Sequence, residues 1–243
     1  MNSKKGFLLL PGGGMSAWIW EKVIPLLEAP SIAPLYRLEE NNVENRKKAT
    51  IQDCVNYHKQ LIDASGLEKV VVVGHSGAGA LAAAIAKEIT DKICSVIYIS
   101  ANIPKNHSAT VDSLPFLLRV INKLAIKSQV NTDSRPMQKN ANMIRKYFCN
   151  ECDQETLEFV LRQEMLSEPL CLALEEYDFD NFPKIQQVYI VLTKDKTQTV
   201  AQQKEMMKHL AVVEKREIES DHMVMLSKPG EIANVLNEVL RSA

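Results

Sequence analysis

A run of four valines, Val70 to Val73, gives way to Gly74-His75-Ser76-Gly77-Ala78-Gly79-Ala80 and then to an alanine-rich stretch. β-Branched residues favour a strand and alanine a helix, so the small residues between them mark a sharp strand-to-helix turn. Small side chains two before and two after a serine, here Gly74 and Ala78, let the backbone turn tightly enough to present the hydroxyl to solvent, as in a nucleophile elbow. Ser76 is the candidate nucleophile. Alanine stands at the fifth position of this G-x-S-x-A motif, where glycine is commonest and small size is the requirement. Two other readings stay open. Ser76 can be an N-cap in a merely structural turn, or Gly77, Gly79 and Ala82 can supply the G-x-G-x-x-A spacing of a dinucleotide-binding turn. The latter predicts an acidic residue about twenty positions on, where the sequence has Tyr98-Ile99-Ser100-Ala101 and no carboxylate.

At 243 residues with 46% hydrophobic content, the chain has the size and apolar mass for one large α/β domain, and disorder is not expected. A formal net charge of -1 offers no electrostatic footprint for nucleic acid or an anionic membrane, and the longest basic run, Arg46-Lys47-Lys48, reads as a solvated loop. The expected partner is neutral or a small molecule, with no nucleic acid and no membrane; a homodimer is left open. The apolar run Phe7 to Leu10 is cut by Pro11 and three glycines, too short for a signal peptide, and reads as a first strand. No stretch approaches the roughly 20 apolar residues a bilayer span requires, so a soluble, cytoplasmic protein is expected. Five cysteines at irregular spacing make no disulfide framework. Cys149-x-x-Cys152 has no second pair to complete a tetrahedral metal site and reads as structural thiols. No cofactor or metal is expected.

Short apolar runs recur at Phe7 to Leu10, Ile32 to Tyr36, Val70 to Val73, Ile93 to Ile99, Val188 to Leu192 and, more weakly, Val212 to Ile218. With helical stretches between them, they predict a doubly wound, mainly parallel sheet of about six strands covered on both faces. Thr50 and Asp53 form a capping box ahead of Ile51, Val55, Leu61 and Ile62, with Gly66 closing that helix, and Pro229 to Leu240 is a terminal amphipathic helix. The alternation breaks between about Asn102 and Pro183, where proline-punctuated apolar patches and no convincing strand suggest a helical lid inserted after the fourth strand. The core is then residues 1–101 and 184–243, and the lid 102–183. Leu114, Phe116, Leu117, Met137, Met143, Phe148 and Met165 are candidates to line a pocket beneath it, or merely to anchor it.

A serine hydroxyl needs a base, and the base an orienting group. Of five histidines, His58 lies in a helix, His75 adjoins the serine, His107 sits in the lid and His209 ends a helix. His222 falls in the loop after the last strand, at the carboxyl edge where the elbow also opens. Asp195, directly after the fifth strand, is the expected orienting acid; Asp221 adjoins the base too closely in sequence and suits a helix cap better. The order Ser76, Asp195, His222 is that of α/β-hydrolases. For the developing oxyanion, the amide of Gly77 starts the helix after the nucleophile, and the loop Pro11-Gly12-Gly13-Gly14 offers the amide of Gly13.

With these residues assembled, the sequence resembles the α/β-hydrolase superfamily, and within it the small-esterase group of plant methyl esterases and hydroxynitrile lyases. Phe7 to Trp20, Val70 to Gly79, Val188 to Lys196 and Asp221 to Leu226 carry the likeness; the lid matches weakly, near Phe148 to Asp153 and Glu168-Pro169. The resemblance implies Ser76, Asp195 and His222 as a catalytic triad, Gly13 and Gly77 as the oxyanion hole, and hydrolysis of a small carboxylic ester, a methyl ester among the candidates. Pro11 departs from the family's usual histidine before the first glycine. The related lyases carry a threonine at the place of Gly12 and a lysine after the catalytic histidine, where this chain has Met223. Cyanohydrin cleavage and a non-catalytic ligand-binding module remain the alternatives.

Overall fold

The computed structural model describes residues 4–114, 116–210 and 213–243. The chain opens with β1 (Lys5–Leu10), β2 (Ser31–Ile32), α1 (Val43–Lys48) and α2 (Ile51–Ser65), followed by β3 (Lys69–His75), α3 (Gly79–Glu88) and β4 (Ile93–Ile99). It leaves the main sheet through β5 (Ser108–Ala109), α4 (Phe116–Gln129), β6 (Ser134–Pro136), α5 (Ala141–Met143), α6 (Gln154–Leu161), β7 (Glu164–Leu166), α7 (Cys171–Leu174) and β8 (Glu176–Tyr177). It returns as β9 (Gln186–Leu192), α8 (Val200–Met207), β10 (Glu214–Ile218), α9 (Val224–Ser227) and α10 (Pro229–Ser242).

Six strands form one sheet in the order β10-β9-β4-β3-β1-β2, every pair parallel. Alternate residues face opposite ways along a strand. Leu8, Val70, Val72, Val96 and Tyr189 therefore pack with α2 and α3 on one face, while Phe7, Val71, Val73, Ile97 and Ile190 pack with Trp20 and α10 on the other. The Thr50–Asp53 capping box forms at the start of α2, and Gly66 closes that helix in the left-handed region at φ 68°. In α3 the alanines bring the helix close to the sheet: a Cβ on Gly74 would lie 2.7 Å from the Cβ of Ala82 and 3.0 Å from the carbonyl of Ala78.

Both sheet edges are blunted. β2 is only two residues long, shorter than the expected Ile32 to Tyr36, because Pro34 has no N–H to continue a ladder. β10 presents Glu214, Lys215, Arg216 and Glu217 to solvent, charges that discourage further strand pairing; the expected start of this strand at Val212 lies outside the described residues.

Two expectations need correction. The segment between β4 and β9 does contain strands, in two antiparallel pairs, β5 with β8 and β6 with β7. Ladders of two or three residues are too short to leave a periodic signal. Arg46 is not solvated: it is fully buried, and its guanidinium donates to the carbonyls of Asn41, Val130 and Thr132 and to Asp133. A planar group with five donors satisfies the carbonyls at the end of α4, which no local pattern announces. All five cysteines are free thiols, with Cys54 Sγ 3.9 Å from Cys171 Sγ between α2 and α7. Among the described residues no helix is long and apolar enough to cross a membrane.

Because Gly74 has no room for a side chain, Gly74→Ala should destabilise the fold by about 1–3 kcal/mol through overpacking. The urea unfolding midpoint measures it, and an unchanged midpoint would show that α3 can shift away at no cost.

Candidate active site

Since all six strands run parallel, the loops after β3, β4, β9 and β10 open on one edge of the sheet. Ser76 leaves β3 with φ 51°, a left-handed conformation uncommon for serine, and its carbonyl accepts from the Asn102 N–H at 2.8 Å. Its hydroxyl lies 3.0 Å from His222 Nε2, and His222 Nδ1 lies 2.6 Å from Asp195 Oδ2. A carboxylate only accepts, so Nδ1 carries the proton and Nε2 offers its lone pair to the serine hydroxyl. In this tautomer the imidazole can take the proton of Ser76 as the oxygen attacks an electrophile.

Asp195 is held from every side. Its Oδ2 accepts also from Ser100 Oγ at 2.7 Å, and its Oδ1 accepts from the N–H groups of Thr197 and Gln198 at 2.7 and 2.9 Å. Burial works against the carboxylate, but the bond and charge of His222 and the other donors outweigh it and hold the carboxyl below its ordinary value. Asp221 does not compete for the imidazole. It accepts from the N–H of Glu151 at 2.9 Å, from the N–H of Met223 and from Ser227 Oγ, so it caps the turn before α9 and ties it to the insertion.

His222 is boxed in by two rings. The edge of Phe148, from the insertion, meets it at a centroid distance of 5.3 Å, and the His75 ring lies at 4.6 Å. His75 Nε2 donates to the His222 carbonyl at 3.0 Å; burial, and then the nearby His222 ring, hold the His75 imidazole well below its ordinary value, so it stays neutral. The remaining histidines are elsewhere: His58 is buried in α2 against the Cys54 carbonyl, His107 is exposed beside Asp180, and His209 bonds the Ile103 carbonyl.

Gly13 and Gly77 come together. The Gly13 nitrogen lies 3.4 Å from where a Cβ on Gly77 would stand, and both glycines line a cavity of about 510 Å³ with Met143, Met165 and Glu168. A cleft of about 500 Å³ between α1 and α2 includes none of these residues. Of the other proposed lining residues, Met137 is buried in the core, Leu114 is half-buried and outside the cavity lining, and Phe116 and Leu117 face solvent at 77% and 68% exposure. The dinucleotide reading fails on space: a Cβ on Gly79 would lie 2.6 Å from Ala101 Cβ, so that glycine serves close packing and is not open to a phosphate.

Arg37 carries no motif and sequence reasoning missed it; Glu168 entered there only within the weak likeness of the lid, with no role assigned. The buried Arg37 guanidinium donates to the Pro11 carbonyl and lies 3.4 Å from Glu168 Oε1, while Glu168 accepts from the Gly14 N–H and the Gly14 carbonyl accepts from the Leu166 N–H at 2.7 Å. Burial pushes the Glu168 carboxyl above its ordinary value, against the pull of Arg37 and the Gly14 N–H. The glycine loop is therefore clamped between the core and the insertion. Ser100 was also missed, although it directly follows β4 on the carboxyl edge, a place the strand pattern already marks.

A family model described as the alpha/beta hydrolase family matches residues 7–235. Polyneuridine aldehyde esterase of Rauvolfia serpentina is 28% identical over 97% of this chain and 96% of its own length. Methylesterase 7 of Arabidopsis thaliana is 25% identical over 98% of this chain and 97% of its own. A solved structure described as an extracellular alpha/beta-hydrolase from a Paenibacillus species superposes with a TM-score of 0.80 at 19% identity, covering 96% of this chain and 98% of that one.

Because Asp195 titrates below the ordinary carboxylate value of about 3.9, its stabilising contribution is complete above that pH and is lost as pH falls through the lowered folded value. The stability gap between wild type and Asp195→Asn should therefore narrow as pH falls below about 4. Urea midpoints across that window test it, and a gap that widened on acidification would contradict the sign.

Proposed function

The chain belongs to the alpha/beta hydrolase family, and from that premise we propose that it is a serine hydrolase cleaving a small carboxylic ester, with Ser76, His222 and Asp195 as its catalytic triad. The hydrogen-bonded series from Ser76 Oγ through the His222 imidazole to Asp195, at 3.0 and 2.6 Å, carries the proposal. Ser76 Oγ attacks the acyl carbon while His222 Nε2 takes its proton, and the ester oxygen leaves as the alcohol after receiving that proton back. Water, deprotonated by the same nitrogen, then releases the acid and restores the serine. Asp195 holds the tautomer and stabilises the imidazolium formed in each half. The amides of Gly13 and Gly77 stabilise the oxyanion, and segment 102–183 acts as a lid that excludes water with Phe148, Met143 and Met165. The names of the relatives favour a methyl ester as the substrate type. Five free thiols suit a reducing, cytoplasmic setting.

Cyanohydrin cleavage on the same residues is disfavoured by two details. A side chain at Gly12 would begin 2.9 Å from His75 Nδ1 and 3.1 Å from Ser76 Cβ, leaving no room for a hydroxyl-bearing residue as packed here. Met223 is buried and uncharged, so it cannot stabilise departing cyanide as an ammonium would. No release of cyanide from mandelonitrile above the solution rate is expected; release lost in Ser76→Ala would restore the lyase reading.

A fluorophosphonate probe should label Ser76 alone, and Ser76→Ala should abolish labelling and lower ester turnover by roughly a million-fold. Asp195→Asn should retain the fold and lose about ten-thousand-fold through the wrong tautomer. Folded wild-type protein that neither reacts with the probe nor cleaves a panel of methyl and p-nitrophenyl esters would instead support a binding module.

A further inference from the structure

The surface of the insertion is unlike the rest of the molecule. Ten large apolar side chains are exposed among the described residues, and five of them, Phe116, Leu117, Val120, Ile121 and Leu124, belong to α4. At positions i, i+1, i+4, i+5 and i+8 they form one continuous stripe along the helix. Phe116, Leu117 and Leu124 are 77%, 68% and 66% exposed, more than any of the other seven. The opposite side of α4 is engaged: Ile126 and Gln129 line the cavity that reaches Gly13 and Gly77.

Charge says what this stripe meets. The helix carries Arg119, Lys123 and Lys127 at i, i+4 and i+8 along one edge of the stripe and has no acidic residue. Asp112, 3.5 Å from Arg119 and 3.7 Å from Lys123, offsets one of the three. Farther along the insertion, Met143 and Tyr147 are also exposed, beside Arg145 and Lys146, and Met143 lines the same cavity as Ile126. An apolar stripe edged by lysines whose stems can reach back to a charged surface is the pattern of a helix lying in a lipid interface. A second copy of the chain fits poorly, because pairing α4 with itself would bring like charges together. At 14 residues α4 is about 21 Å long, too short to span a hydrocarbon core of about 30 Å, so it would lie flat.

We propose that α4 is a docking surface for an anionic lipid interface, which it meets with Phe116, Leu117, Val120, Ile121 and Leu124 while Lys123 and Lys127 pair with lipid head groups. The whole-chain charge of -1 does not set this interaction; attraction depends on local charge within about a Debye length of the surface, near 8–10 Å at ordinary ionic strength.

Flotation of the full chain with vesicles of phosphatidylcholine alone, or of phosphatidylcholine with phosphatidylglycerol, tests this. Wild type should float with the anionic vesicles, less so at high salt, and bind the neutral ones at least about tenfold more weakly. Lys123→Glu with Lys127→Glu should weaken anionic binding by about tenfold or more, and Phe116→Ser with Leu117→Ser and Leu124→Ser should remove it. Unchanged circular dichroism in both variants would show that they fold. Ser76→Ala should bind as wild type does, which keeps this test separate from that of the proposed reaction. No flotation of wild type, or equal binding to both vesicle types, overturns the proposal. A doubled mass in solution, lost in the triple serine variant and unaccompanied by vesicle binding, would assign the face to a second copy.

Discussion

The turn after β3 is the constraint on which the site depends. Ser76 adopts a left-handed conformation that costs about 1–3 kcal/mol when a non-glycine residue holds it. Its neighbours fix it there: Gly74 lies against Ala82, Gly79 against Ala101, and the Ser76 carbonyl is occupied by Asn102. The alanines of α3 are as much a part of the site as the serine, because a larger residue at Ala82 would push the helix off the sheet and relax the turn. Tight packing on the hidden side thus maintains a strained, half-buried conformation on the other.

The parts of this architecture that repeat were legible in the sequence. Valine and isoleucine runs, the Thr50–Asp53 box and the small residues around Ser76 each obey a local rule, and a parallel sheet carries Asp195 and His222 to the serine's edge without knowledge of any contact. What stayed illegible depends on partners distant along the chain. Arg46 reads as part of a basic run and proves to be a buried clasp on the end of α4; Arg37 has no local signature, although it holds the Pro11 carbonyl. The small antiparallel pairs of the insertion are likewise decided by which segments meet. Total charge is likewise silent on local distribution: a near-neutral chain includes a helix with three cations and no anions.

The insertion is bonded to the site on two sides. Leu166 and Glu168 hold Gly14, in the loop that presents Gly13, while Glu151 bonds Asp221 and Phe148 leans on His222. Removing residues 102–183 would therefore do more than uncover a pocket, because it would release the glycine loop and the histidine loop together.

Those four contacts also make the insertion a common brace. The glycine loop and the histidine loop lie in different parts of the sequence, yet each leans on the same segment, so a shift of that segment would be felt by both at once. Their relative placement is thus held by one body and not by two independent supports.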